Sequence, residues 1–435
     1  MPASTVAADR SRTFGRRVAR RGDATGRTAR RRNTAHRNTA HRDTAHRDTI
    51  RREWLRAIVG SLTLWAISRA LVTAIAMTTL QRTRGAALGG RPFTALLAQW
   101  DSEHFATIAA DGYFPAAADD PGLPAFFPGY PLLARGTAVL LAPLGTDAAL
   151  PRALALVAAL GAVVAGAFVW RVASTRTGER AGLAATALLF FGPYALFLHA
   201  SYSESTFLAF ATAAWWAGTR ERWLLAGVLC AAAGATRVNG LFLLAALVVM
   251  SVVSRRRERR GLLGPGLPAV LVGACGTATY LVFLWVRTGR PDAWSHAQAV
   301  GWGRTLSWPW DALRTSVFLT HAHPNVSARI QAVFDIGFAA LVVVVLAWFV
   351  ARRSWPEAVL VGLTAASLMT SVSFVSLGRN MLTLFPVPIA LGRGAARGDG
   401  VGGLVGPVLW VGTLVVGVAL LTFQTHQFAL GLWAG

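Results

Sequence analysis

The chain has no lysine: all 43 basic residues among its 435 are arginine. A complete absence of one cation points to codon bias in a GC-rich genome, of bacterial character, and carries no mechanism of its own. Acidic residues are few, 20 in all, and charged side chains make up 14% of the composition. A soluble domain carries roughly 25%, so an ordinary water-soluble fold is excluded. Only two cysteines occur, Cys230 and Cys275, both inside apolar stretches. That excludes a disulfide framework and a thiolate metal centre, and predicts two buried thiols.

What the sequence does have is apolar length. Hydrophobic residues make up 54% of it and the mean hydropathy is +0.46. Runs of the roughly 20 residues needed to cross a bilayer recur along most of the chain. They are continuous and rich in Leu, Ala and Val, not alternating in and out over about ten residues, which argues against a barrel. The expected fold is all-α, a polytopic transmembrane helical bundle. About eleven spans can be drawn, at 55–80, 149–173, 181–200, 203–219, 223–237, 240–254, 266–287, 327–350, 356–376, 380–394 and 402–424.

Residues 1–52 stand apart from this membrane domain of 53–435. They hold fifteen Arg against four Asp, a net of +11 out of the chain's +23, and almost no large apolar side chain. A pentapeptide repeat runs through them, with Asn33–Arg37, Asn38–Arg42 and Asp43–Arg47 followed by a degraded Asp48–Arg52. A period of five fits no solenoid and buries nothing, so a disordered tail is predicted. Its arginines suit anionic lipid headgroups. No aromatic residues interleave with them, which disfavours nucleic acid, and histidines at this period share no helical face, which disfavours a metal-binding tail. No signal peptide opens the chain; the first apolar segment starts near Leu55 and is too long to be one.

The basic tail predicts a cytoplasmic N-terminus in a cell membrane. With that start, the later clusters Arg171/Arg176/Arg180, Arg220/Arg222, Arg255–Arg260, Arg352/Arg353 and Arg393/Arg397 all fall on the cytoplasmic side. The scheme requires residues 126–144, which contain Pro128, Pro131 and Arg135, to be an interfacial or partly re-entrant helix and not a span. The first extracytoplasmic loop is then 81–148, the longest in the membrane domain.

This topology sorts the polar motifs onto one rim. Outside lie Trp100–His104, the turn around Glu204, the turn carrying Arg237 and Asn239, the loop 288–326, and the turn carrying Arg379. Charges at a membrane edge are expensive and mark function unless they merely snorkel from span ends. Several Arg on an outer face run against the positive-inside bias. A carboxylate and two guanidinium groups on one rim suit transfer of a sugar from a polyprenyl phosphate. The acceptor hydroxyl needs a general base, arginines stabilise a departing phosphate, and helices supply an apolar groove for the lipid. Asp101 is the candidate base, although it could instead cap the following helix. Glu103 could be the base, a second carboxylate or simply solvated. His104 could be functional or a packing residue, and Glu204 could be a turn cap. Arg237 and Arg379 are candidate phosphate ligands. The pair His321 and His323 is too sparse for a metal site, and this chemistry demands no metal and no cofactor beyond the lipid-linked donor.

The residues also carry a resemblance. Gln99–Tyr113, reading QWDSEHFATIAADGY, resembles the WD-x-x-HF-x-x-IA-x-x-GY signature of the PIG-V family, the GPI mannosyltransferase II type, and its bacterial relatives. Phe126–Leu132, Tyr202–Ser205, Ala235–Gly240, and Arg379 with Pro386 are similar to later blocks of that family, in order. Gly129 stands where those blocks usually carry a large apolar residue. The resemblance covers about 55–395. It implies a GT-C fold with a large first extracytoplasmic loop, and an inverting enzyme using a dolichyl- or polyprenyl-phosphate sugar, usually mannose. It implies Asp101 as the catalytic acidic residue, His104 as the motif histidine, and Tyr202, Glu204, Arg237, Asn239 and Arg379 as site residues. The acceptor, a hydroxyl of a glycolipid, glycan or protein, is left open. A transporter or lipid flippase would also have many spans, but predicts internal repeats and broken helices meeting at the midplane, and none is evident. A non-catalytic scaffold of a glycosylation complex is the third class.

Overall fold

A computed structural model describes residues 47–83, 97–115, 120–144, 149–257, 264–397 and 403–434. Most of the Arg-rich tail, residues 1–46, lies outside the described residues. Two compact units are distinguished, 1–56 and 57–435. In the first, the degraded last repeat is not irregular: residues 47–56 are helical. They open α1 (Arg47–Thr83), which therefore begins earlier than the apolar run alone suggests. An Arg-Glu-Trp-Leu-Arg stretch without Gly or Pro simply continues the helix outward.

The second unit is built of helices. Among the described residues it has no strand, only an isolated antiparallel bridge between Leu306 and Ser371. After α1 come two short helices, α2 (Asp101–Asp111) and α3 (Gly129–Leu141). Next are α4 (Ala149–Ser174), α5 (Glu179–Phe191), α6 (Glu204–Thr219), α7 (Trp223–Gly234) and α8 (Asn239–Arg257). The chain continues through α9 (Gly266–Leu271), α10 (Ala274–Thr288), α11 (Ala293–Trp302) and α12 (Pro309–Ala322). It closes with α13 (Val326–Ala351), α14 (Trp355–Met369), α15 (Leu377–Asn380), α16 (Pro386–Ala396) and α17 (Val405–Ala429).

Every one of the eleven apolar runs carries helix, but among the described residues only five helices are by themselves long and apolar enough to cross a membrane: α1, α4, α8, α13 and α17. The others are shorter or divided. The 266–287 run breaks at Val272–Gly273 into α9 and α10, and the 181–200 run ends α5 at Gly192–Pro193 before a 3-10 turn over Ala195–Leu198. Pro193 has no backbone N–H to continue the α5 ladder, and at the other break Gly273, a poor helix former, bonds to Val270 O in a tighter turn. The stretch expected to lie along the surface forms α3, whose 13 residues rise about 20 Å, too little for a hydrocarbon core of roughly 30 Å. It buries Tyr130, Pro131 and Ala134 and exposes Leu132, Leu133, Val139 and Leu140.

Small residues set the packing. Helix α4 lies against α5 and α6, α5 also against α16, and α8 against α14. A Cβ added at Gly161 of α4 would sit 2.9 Å from the backbone of Ser205, so the helices meet backbone to backbone where α6 begins. Close approach through Gly and Ala is how helices associate where lipid removes the hydrophobic drive between them. The outer surface is apolar: Val405, Val408, Leu409, Val411, Val415 and Val416 of α17 are exposed. A face of this kind suits acyl chains and not water. Cys230 is buried as expected, but Cys275 is exposed, because α10 turns that side outward; both thiols are free.

Candidate active site

The ends of α6 and α8 show how the site is sorted. Glu204 begins α6 and Asn239 begins α8, whereas the run Arg255–Arg257 closes α8. Nineteen residues of α8 put about 28 Å between the two ends. The rim motifs and the basic cluster therefore occupy opposite ends of the same helix.

Asp101 is the first residue of α2, not its cap; the capping position is Trp100, which makes no side-chain capping bond. Trp100 has a φ of 58°, a left-handed value that a bulky residue adopts only under constraint from its surroundings. The constraint is visible. Tyr202 donates from its hydroxyl to the carbonyl of Gln99 at 2.8 Å, and Ser102 Oγ donates to the same carbonyl at 2.6 Å. Burial, and then the charge of Asp101, hold the Tyr202 phenol well above its ordinary value, so it remains a donor. The chain is thus turned so that Asp101 Oδ2 meets Arg379 Nη2 at 2.8 Å.

Arg379 is the centre of the cluster. Its Nε and Nη2 reach Glu204 Oε1 at 2.7 and 2.6 Å, and its guanidinium lies over the rings of Phe197 and Tyr202 at 4.5 and 4.6 Å. Burial alone would depress the guanidinium, but Glu204 and then Asp101 outweigh it and leave Arg379 above its ordinary value. Glu204, with no exposed surface, is also paired with Arg237, whose Nη1 lies 3.0 Å from Oε1. Arg237 also donates to Ser203 Oγ and Asn380 Oδ1, each at 3.1 Å. Neither Glu204 nor the two arginines snorkel. Glu204 is a counter-ion that locks two guanidinium groups in place.

These groups stand at one cavity of about 410 Å³, within the roughly 300–1,000 Å³ of small-molecule sites. Asp101, Arg237, Asn239, Arg379 and Asn380 line it, with Trp294, Trp302 and Trp433. The lining continues onto Phe242 of α8 and Thr364 and Leu368 of α14. Hence five of the sequence candidates, Asp101, Glu204, Arg237, Asn239 and Arg379, converge, and Tyr202 braces them. His104 stands one layer back: its ring packs on Phe126 and Trp302 at 4.8 and 5.8 Å, and its Nε2 lies 3.4 Å from Asp120. Glu103 does not join. Two positions along a helix rotate it about 200° from Asp101, and it is exposed. Among the described residues no three His, Cys, Asp or Glu side chains are grouped as a metal centre requires.

Two charged residues at this site are absent from the sequence candidates. Asp335 is buried in the middle of α13 and accepts the backbone N–H groups of Ser376 and Gly378 at 3.2 and 2.9 Å. It thereby holds Ser376 in the left-handed conformation, φ 62°, that delivers Arg379 to the cavity. A lone acid in a 26-residue apolar helix is the signal that could have found it. Arg304 lines the cavity from the loop between α11 and α12, and nothing in its surrounding sequence marks it.

The Mannosyltransferase (PIG-V) family model matches residues 85–256, a stretch that carries Asp101, Glu204, Arg237 and Asn239. No curated protein matches the chain. Five apolar helices long enough to cross a membrane and this match together support a membrane protein of mannosyltransferase type. Over residues 85–256 the chain is similar to the Mannosyltransferase (PIG-V) family.

Proposed function

We propose that the cavity transfers a mannosyl residue from a polyprenyl-phosphate-linked donor to an acceptor hydroxyl on the extracytoplasmic face, as a GT-C-type inverting enzyme. The observation that carries the reading is the contact of Asp101 with Arg379 at the cavity wall. Among the described residues Asp101 is engaged through Oδ2, which leaves Oδ1 for a substrate hydroxyl. In the step, the acceptor oxygen attacks the anomeric carbon and its proton passes to Asp101. The bond from that carbon to the phosphate oxygen breaks, and the electron pair leaves on the polyprenyl phosphate. A phosphate is a stable leaving group, so the step calls for neither a resident metal ion nor a general acid; surrounding guanidinium charge stabilises it. Phe242 of α8 and Leu368 of α14 give the cavity an apolar part of its lining, against which the start of an isoprenoid chain can lie. The basic tail and the run Arg255–Arg257 then face the cytoplasm, the tail against anionic headgroups.

The test is transfer of radiolabelled mannose from polyprenyl-phosphate mannose in membranes. Wild type should transfer it and Asp101→Asn should lose at least about a hundredfold. Normal transfer by Asp101→Asn removes the base assignment, and absence of transfer by wild type removes the donor. Reporters fused after Asp120 and at Arg257 should read extracytoplasmic and cytoplasmic, respectively.

A further inference from the structure

The cavity wall carries more positive charge than its own acids neutralise. Three arginines line it, Arg237, Arg304 and Arg379, against one lining carboxylate, Asp101, with Glu204 behind. Two of the three are committed: Arg379 is divided between Glu204 and Asp101, and Arg237 bonds Glu204, Ser203 and Asn380. Arg304 is not. Its hydrogen bond runs from Nη2 to the carbonyl of Val375 at 3.3 Å, and among the described residues no carboxylate pairs with it. Burial, then the neighbouring charge of Arg379, push its guanidinium below the ordinary value while Asp101 opposes them. An anion entering the cavity would relieve that cost.

We propose that Arg304 is the ligand for the phosphate of the lipid-linked substrate, and that Arg237 and Arg379 chiefly build and hold the wall behind it. This inference rests on the transfer reaction proposed above for the choice of a lipid phosphate. The division of labour follows from geometry. Releasing Arg379 or Arg237 to a phosphate would strip Glu204, fully buried, of its counter-ions, a costly exchange. Arg304 gives up only a weak bond to a carbonyl. It also sits on a strap, residues 303–308, that is joined to the cavity-lining residues Ser371 and Thr370 by the Leu306–Ser371 bridge and by Ser307 N donating to Thr370 O at 2.8 Å. Leu306 and Trp308 of this strap and Trp310 just after it are exposed, with the two indoles stacked at 4.9 Å. Tryptophans of this kind seat at the headgroup level of a bilayer. The guanidinium thus lies where a headgroup anion passes from the lipid surface into the cavity.

The experiment uses the full chain in lipid nanodiscs, titrated with a short-chain polyprenyl phosphate that carries no sugar. Quenching of the cavity tryptophans, Trp294, Trp302 and Trp433, reads binding. Arg304→Gln removes a charge-assisted bond to the phosphate and should weaken binding roughly ten- to a hundredfold, and Arg304→Lys should recover part of it. The uncharged polyprenol should bind both proteins alike, and inorganic phosphate should bind far more weakly than the lipid. Equal affinity of wild type and Arg304→Gln for polyprenyl phosphate overturns the proposal, as does an equal weakening of polyprenol binding. Inorganic phosphate binding as tightly as the lipid phosphate overturns the lipid source. Should Arg304→Gln fail to fold, Arg304→Lys decides through the transfer assay. A raised donor KM at unchanged acceptor KM supports the proposal, and a wild-type donor KM sinks it. Failure of the transfer reading shows separately, as Arg304-dependent phosphate binding by a protein that moves no mannose.

Discussion

Glu204→Gln is the perturbation that tests the cluster most directly. Glu204 Oε1 accepts from Arg379 Nε at 2.7 Å and forms ion pairs with Arg379 Nη2 at 2.6 Å and Arg237 Nη1 at 3.0 Å, with no solvent contact. Glutamine keeps an acceptor at that position but no charge, and it brings an NH2 group to the place of Oε2, which has no protein partner among the described residues. Charge-assisted bonds become neutral ones at about half the strength, and a buried donor is orphaned at about 1–3 kcal/mol. Removing one side of a buried ion pair costs about 3–5 kcal/mol in total. Reversible SDS unfolding in mixed micelles should show a loss of that order, and mannosyl transfer should fall with it because Arg379 is released. A double-mutant cycle should find stronger coupling of Glu204 to Arg379, with a hydrogen bond and an ion pair at 2.6 Å, than to Arg237, with an ion pair at 3.0 Å. Wild-type stability together with wild-type transfer in Glu204→Gln would refute the counter-ion argument.

Other outcomes follow from the same geometry. Asp335→Asn keeps one acceptor where two backbone N–H groups converge; transfer should drop roughly 10- to 100-fold through displacement of Arg379, with Asp101→Asn as the comparison and a crosslink between positions 335 and 378 as the check on loop placement. Ser376→Gly relieves a left-handed residue and should raise unfolding free energy by about 0.5–1 kcal/mol; a loss would show that the backbone there is not strained. Gly129→Val would drive a Cβ to 2.7 Å from the Ala235 carbonyl. It should cost about 1–3 kcal/mol as overpacking and lower transfer by shifting the Arg237 turn, whereas Gly136→Ala, with open space around it, should leave both unchanged.

The helical membrane architecture was legible because lipid demands long apolar runs, and these stand out without any alignment. The meeting of Asp101, Glu204, Arg237 and Arg379 was legible for a related reason: an isolated charge at a span end is conspicuous, and sidedness places all four together. Other features were hidden. Helix periodicity alone should have separated Glu103 from Asp101. The break at Val272–Gly273 and the outward turn of Cys275 depend on how α10 packs, which hydropathy does not encode. Arg304 resembles any loop arginine until the fold brings it to the cavity. Asp335 was visible as a lone acid in an apolar helix, but its partners are backbone amides 41 and 43 residues away, and amides leave no trace in sequence. The departure at Gly129 acquires a reason in space: its N–H donates to Ala235 O at 2.7 Å, so α3 abuts the Arg237 turn with no room for a side chain.

The order in which these charges are synthesised has a consequence for biogenesis. Glu204 enters the bilayer on α6 with Arg237 soon after it, whereas Arg379 arrives 175 residues later. Until then the translocon handles a half-neutralised acid at a helix start. A truncated chain ending before α15 should therefore be held by quality-control proteases, and separately made halves should rescue one another only when the second contributes that late arginine.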